Sequence, residues 1–118
     1  MRKMMICLLM NGDIQIVPVK DEDPLLSIRQ QIGKGCENVK TESIVDKADF
    51  SFPVFLVTGA SKTLNSNRLN LNASVLSASH ICGNAVLATS DGENICGMSE
   101  AQIKVVREYL LSSAGAVA

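Results

Sequence analysis

An Asn-Gly pair at residues 11 and 12 divides two short apolar runs, KMMICLLM and DIQIVPVK. A tight type I′ turn needs positive φ at both central residues, and Asn-Gly supplies that at least cost. The chain is therefore expected to open with an antiparallel hairpin over residues 3–19. Ile14, Ile16 and Pro18 alternate with Gln15 and Val17, which predicts one buried face on the second strand. Pro18 has no N–H to give to a ladder, so that end belongs at a sheet edge.

Further along, Asp23-Pro24 has the chemistry of a helix start, an N-cap acceptor followed by a residue with preset φ. Leu25, Ile28 and Ile32 recur at helical spacing, and Gly33 or Gly35 closes the helix. NVKTESIV reads as a strand, PVFLVT as a central strand apolar on both faces, and HICGNAVLAT as a third, with Gly83 marking a bulge or a close approach. ASVLSAS fits either a short helix or a structured loop. Asp91-Gly92 turns the chain, and Ser99 with Gln102 forms a capping box for a last helix buried along Ile103, Val106 and Leu110. The expected fold class is α+β: an N-terminal hairpin and a mixed or antiparallel sheet of about five strands packed by two main helices. Residues 1–112 form its single domain, and the small residues of 113–118 are expected to fray.

The chain has 118 residues and a net charge of −1, which argues against a broad nucleic-acid surface. Only Phe50, Phe52, Phe55 and Tyr109 are aromatic, so bases have few platforms to stack on. No run approaches the length of a membrane span, and MMICLLM after Arg2-Lys3 reads as a strand rather than a leader. None of the cysteines forms a C-x-x-C, and His80 is the single histidine, so neither a metal nor another cofactor is expected. A cytoplasmic protein with reduced thiols is the expectation.

VFLVTGASKT, residues 54–63, raises the question of a dinucleotide turn. Thr58-Gly59 fits T-G-x-x-x-G-x-G, but Thr63 and Asn65 replace the later glycines that let backbone approach a pyrophosphate. Lys62-Thr63 lacks both glycines of a phosphate-binding P-loop. What remains is a dense polar run from Ser61 to Asn72. Arg68 can grip a phosphate bidentately and Lys62 can add a point charge, while asparagine amides read sugar or base edges. The same residues also suit a plain surface loop, since asparagine tolerates left-handed turns.

His80 and Cys82 share a strand face, as a nucleophile and base would. Catalysis would also need an orienting acid and an oxyanion hole, and a small buried residue is the usual explanation for Cys82 in ICGNAV. A redox pair of Cys82 with Cys96 would need their strands to be adjacent. No catalytic residue is assigned.

NRL at 67–69, ICGNAVLA at 81–88 and ICGMSEAQIKVVREYL at 95–110 together resemble a family of small domains of unknown function from phages and mobile elements of Firmicutes and related bacteria. The matching positions are Asn67, Arg68, Ile81, Gly83, Met98, Ser99 and Glu100, while Ala85 or Val86 stands where the family has an aromatic residue. The resemblance implies a phage or prophage origin, and action in the host cytoplasm. Small phage proteins without catalytic groups often act by binding. The leading expectation is a non-enzymatic anti-defence sponge that sequesters a nucleotide-type immune signal. Its ligand residues would be Lys62, Asn65, Asn67, Arg68, Asn70 and Asn84, with an apolar wall from Phe50, Phe52 or Phe55. Tight binding needs an enclosed pocket, which points to a homo-oligomer. The alternative is an inhibitor or adaptor for a host protein, which would expose an apolar patch or an acidic face.

Overall fold

A computed structural model of the chain describes residues 3–20, 22–33, 39–44, 50–59, 69–77 and 81–117, with side chains as far as Leu111. The strands are β1 (Met4–Leu8), β2 (Ile14–Pro18), β3 (Val39–Ser43), β4 (Phe55–Gly59), β5 (Ala85–Ser90) and β6 (Ile95–Cys96). The helices are α1 (Pro24–Ile32), α2 (Leu71–Ser77) and α3 (Glu100–Val117). Every pairing is antiparallel, in the order β2-β1-β5-β4-β3, with β6 added to β5. The fold is α+β, as expected.

The strands at the centre of the sheet are apolar because both of their faces are covered. Met5 through Leu8 on β1 and Ala85 through Ala88 on β5 are all buried. On one face Met5, Cys7, Val57, Val86 and Ala88 pack with Ile28 of α1. On the other, Ile6, Leu8, Leu56 and Leu87 pack with Ala73 and Leu76 of α2 and with Ile103, Val106 and Leu110 of α3. Each of those large side chains contributes about 1.5–3 kcal/mol by leaving water. The sheet is thus the middle layer of three.

Local chemistry sets the helix starts. The Asp23 carboxylate accepts the Leu26 N–H at 3.1 Å, with Pro24 in the first turn. At α3 the capping box closes in both directions: the Ser99 N–H donates to Gln102 Oε1 at 2.9 Å and the Gln102 N–H donates to Ser99 Oγ at 3.2 Å. The described part of ASVLSAS, residues 73–77, lies in α2, a third helix. The backbone of α3 continues to Val117.

Two expectations for the first hairpin change. The Gly12 N–H donates to the Leu9 carbonyl at 3.0 Å and the Leu9 N–H donates to the Asp13 carbonyl at 2.9 Å. Three residues therefore link the closing pair, instead of the two of a type I′ turn, and Gly12 at φ +95° supplies the left-handed position. The predicted buried face of β2 is also largely open. Ile16 is 38% exposed and Pro18 is exposed, because β2 is the outermost strand and α3 only partly reaches under it. On α1, Leu25 likewise lies 40% exposed, leaving Ile28 as the anchor.

β6 enters the sheet as a wedge. β1 pairs with β5 from Ile6 to Leu8, but Met4 instead exchanges both backbone hydrogen bonds with Met98, at 2.6 and 2.8 Å. Cys96 meanwhile faces Thr89 of β5. Gly97 permits this insertion. A Cβ there would lie 2.7 Å from Lys3 Cβ and 3.1 Å from both Met4 O and Val19 Cβ.

Candidate functional site

The polar run that carries the sequence's ligand-binding prediction leaves β4 at Gly59 and returns at Leu69. Lys62, Asn65, Asn67 and Arg68 lie outside the described residues, as does His80. Both ends of the run are fixed at one end of the sheet. Gly59 pairs with Val39, and Leu69 forms a bridge with Cys82, just ahead of β5.

Asn70 holds that seat together. It is fully buried. Its Nδ2 donates to the carbonyls of Leu8 and Gly83, each at 2.8 Å, and its Oδ1 accepts the Ala73 N–H at 3.1 Å, capping α2. Both amide hydrogens are committed to protein and no surface is offered, so the expectation that Asn70 meets a ligand is corrected: it is a structural clamp. The N-cap signature of an Asn before LNASVL was available in the sequence. The carbonyl partners were not, because they lie on distant segments.

Asn72 and Asn84 act nearby. Asn72 Nδ2 donates to the Gly12 carbonyl at 3.2 Å, and Asn84 Oδ1 accepts the Met10 N–H at 3.0 Å. Three asparagines thus tie the turn end of the first hairpin to the segments around it. Asn84 is half-buried, and its amide NH₂ is the group it can still present.

The proposed apolar wall is elsewhere. Phe55 opens β4 opposite Ser43 and Ala88, so it stands about 13 Å along the strand from Gly59. Phe50 and Phe52 stack against each other at 5.7 Å, and Phe50 meets Tyr109 edge-on at 5.4 Å. Those rings pack against the α2–α3 face of the core. They do not converge with Asn70 or Asn84.

The described thiols Cys7, Cys82 and Cys96 are free. Burial pushes Cys7 up to about 11, and its thiol donates to Gln31 Oε1 at 3.7 Å. Burial and the neighbouring Asp91 carboxylate both raise Cys96. Raised thiols carry little thiolate at neutral pH, the reverse of an activated nucleophile. Cys82 bridges Leu69 before β5 begins, while Cys96 pairs at its far end, so the two do not meet as a redox pair. Among the described residues no group of three His, Cys, Asp or Glu side chains comes close enough to hold a metal. Nor, among them, is any helix long and apolar enough to cross a membrane.

A concavity that sequence reasoning did not anticipate runs between β2 and α3. It measures about 1220 Å³ and has an apolar floor of Met4, Ile16, Ile103 and Leu111. Glu100, Lys104, Arg107 and Glu108 stand along it, so its charges balance. A smaller recess of about 220 Å³ joins Ile14 and Ile16 to Arg107 and Leu111. The signal was present in part, since Lys104, Arg107 and Glu108 fall off the Ile103, Val106 and Leu110 face of the last helix. That an open β2 lies beside them follows only from the packing. Compared with protein-family models, with curated proteins and with solved structures, the chain matches none.

Proposed function

We propose that this is a non-enzymatic anti-defence protein of phage type that captures a small nucleotide-derived signal and holds it without chemistry. The observation that carries the reading is the hydrogen-bonded seat of the 60–68 segment. Gly59 pairs with Val39 and Leu69 bridges Cys82 at one sheet end, and the adjoining Asn70 ties the Leu69 side to Leu8 and Gly83. A polar segment mounted on a fixed frame is how many folds present binding groups. Within it, Arg68 and Lys62 would meet phosphate and Asn65 and Asn67 would meet sugar or base, with the Asn84 amide at the margin. Phe55 is left out of this arrangement, because it stands at the other end of β4.

The test is release mass spectrometry. The purified protein is incubated with extract from phage-infected bacteria, washed and denatured, and the released small molecules are identified. A stoichiometric nucleotide-type ligand that disappears with Arg68→Ala, while the circular dichroism spectrum stays unchanged, supports the reading. Release of nothing across several extracts overturns it.

The β2–α3 groove favours a second reading, an inhibitor or adaptor that docks a host protein on an apolar surface. Recovery of one host protein in stoichiometric amount, lost on Ile16→Lys but not on Arg68→Ala, would select it.

A further inference from the structure

We infer that the open edge of β2 and the adjoining face of α3 form a two-fold interface with a second copy of this chain. The inference goes beyond the ligand proposal and does not depend on it. It starts from the contrast between the two edges of the sheet. β3, at one edge, carries Lys40 and Glu42, the charges that normally keep an edge strand from pairing. β2, at the other, reads IQIVP and carries no charge at all. Among the described residues, one edge is protected and the other is open.

The backbone of β2 is also set up to pair with itself. The Leu9–Asp13 and Val19–Lys3 hydrogen bonds fix the alternation of the β1–β2 ladder. Residues 13, 15, 17 and 19 turn their polar groups toward β1, so Ile14 and Ile16 direct theirs outward. Pro18 offers only its carbonyl there. An antiparallel copy centred on Ile16 uses these groups well. Each Ile16 exchanges both hydrogen bonds with its copy, and each Ile14 N–H reaches the Pro18 carbonyl of the other chain. Centring on Pro18 would set two donorless residues face to face, so the sequence favours the Ile16 register.

The same axis brings α3 antiparallel to its copy, on one face of the doubled sheet. Ile16 lines its groove together with α3 residues from Glu100 to Leu111, which places the axis near the middle of that stretch. With the crossing centred on Val106, Lys104 comes level with Glu108 of the other copy, and Glu108 with its Lys104. Arg107 then lays its stem over the second copy's Val105, which is 45% exposed, and Leu111, 57% exposed, meets Ala101. Unlike charges therefore face each other around a shared apolar centre, as an isologous interface requires. A partner with a uniform charge would find no such match.

Sedimentation or light scattering on the full chain, followed across the micromolar range, tests this. The expected species has twice the 12.6 kDa chain mass. Ile16→Lys puts a charge on the pairing edge and should weaken the dimer by more than roughly tenfold in Kd. Lys104→Glu alone should weaken it by roughly threefold to tenfold, and Lys104→Glu with Glu108→Lys should restore it. Both α3 positions are exposed, so these variants keep the fold even if Ile16→Lys does not. A wild-type chain that stays monomeric overturns the inference. So does a dimer that neither Ile16→Lys nor the single charge reversal weakens, or a groove occupied by a host protein while the chain alone is monomeric.

Discussion

The Asn70 side-chain amide donates to the Leu8 carbonyl at 2.8 Å, joining the cap of α2 to the end of β1 across 62 residues of chain. The same nitrogen serves the Gly83 carbonyl, so one buried side chain holds three segments. Asn70→Ala removes a helix cap and strands two buried carbonyls, and should cost about 2–4 kcal/mol. Asn70→Asp separates the roles. Aspartate caps as well as asparagine, but it cannot donate to Leu8 or Gly83. Urea unfolding should therefore find Asn70→Asp at least as unstable as Asn70→Ala. An aspartate variant close to wild type would mean that capping alone matters.

Gly97 and Gly33 should respond in opposite ways to alanine. At Gly97 the new methyl would meet Lys3 Cβ, Met4 O and Val19 Cβ, so β6 must move off β1. The expected loss is about 1–3 kcal/mol. Gly33 has nothing within 4 Å of its would-be Cβ, and its φ of 165° is ordinary extended backbone. Gly33→Ala should be neutral or gain up to about 1 kcal/mol through the unfolded chain. Thermal melts of the two variants side by side check both outcomes.

Cys7 should make the protein sensitive to alkali. The folded state raises this thiol from 9.0 to about 11, so it holds the proton more tightly than the unfolded chain does. Stability from this source is complete below pH 9 and is lost as the pH climbs toward about 11. Cys96 is raised too and adds in the same direction. Denaturation midpoints near neutrality and near the upper end of that window should differ less in Cys7→Ala than in wild type. Iodoacetamide mapping at mild alkaline pH should leave Cys7 unlabelled until the protein unfolds.

The capping box of α3 is a reciprocal pair and should behave as one. Ser99→Ala and Gln102→Ala are each expected to cost about 1 kcal/mol. Because each side chain satisfies the other residue's N–H, the double variant should lose less than the sum. Strict additivity in a double-mutant cycle would show that the two bonds form independently.

These cases mark what a reader of the sequence could know. Asp23-Pro24 and Ser99–Gln102 were legible because their partners lie within one helical turn. Asn11-Gly12 gave the hairpin but not its turn, since a two-residue and a three-residue loop use the same pair one position apart. The openness of β2 was hidden, because an apolar pattern does not say which strand ends up outermost. Asn70 had the composition of both a ligand contact and a clamp, and only Leu8 and Gly83 decide between them. At the candidate site, the 60–68 segment could be found by its polarity. The groove could not, because β2 and α3 stand at opposite ends of the chain.

The wedge at Met98 has a consequence for how the protein is born. β1 needs β2 on one side and both β5 and Met98 on the other before its edges are filled. During synthesis the second of these sides stays empty until residues 85–98 have left the ribosome. A strand of sequence MMICL, apolar on both faces, must therefore wait uncovered while the chain from residue 9 to residue 98 is made. Its lifetime in that state is set by the pace of the ribosome, so slow codons between residues 20 and 84 should favour aggregation over folding.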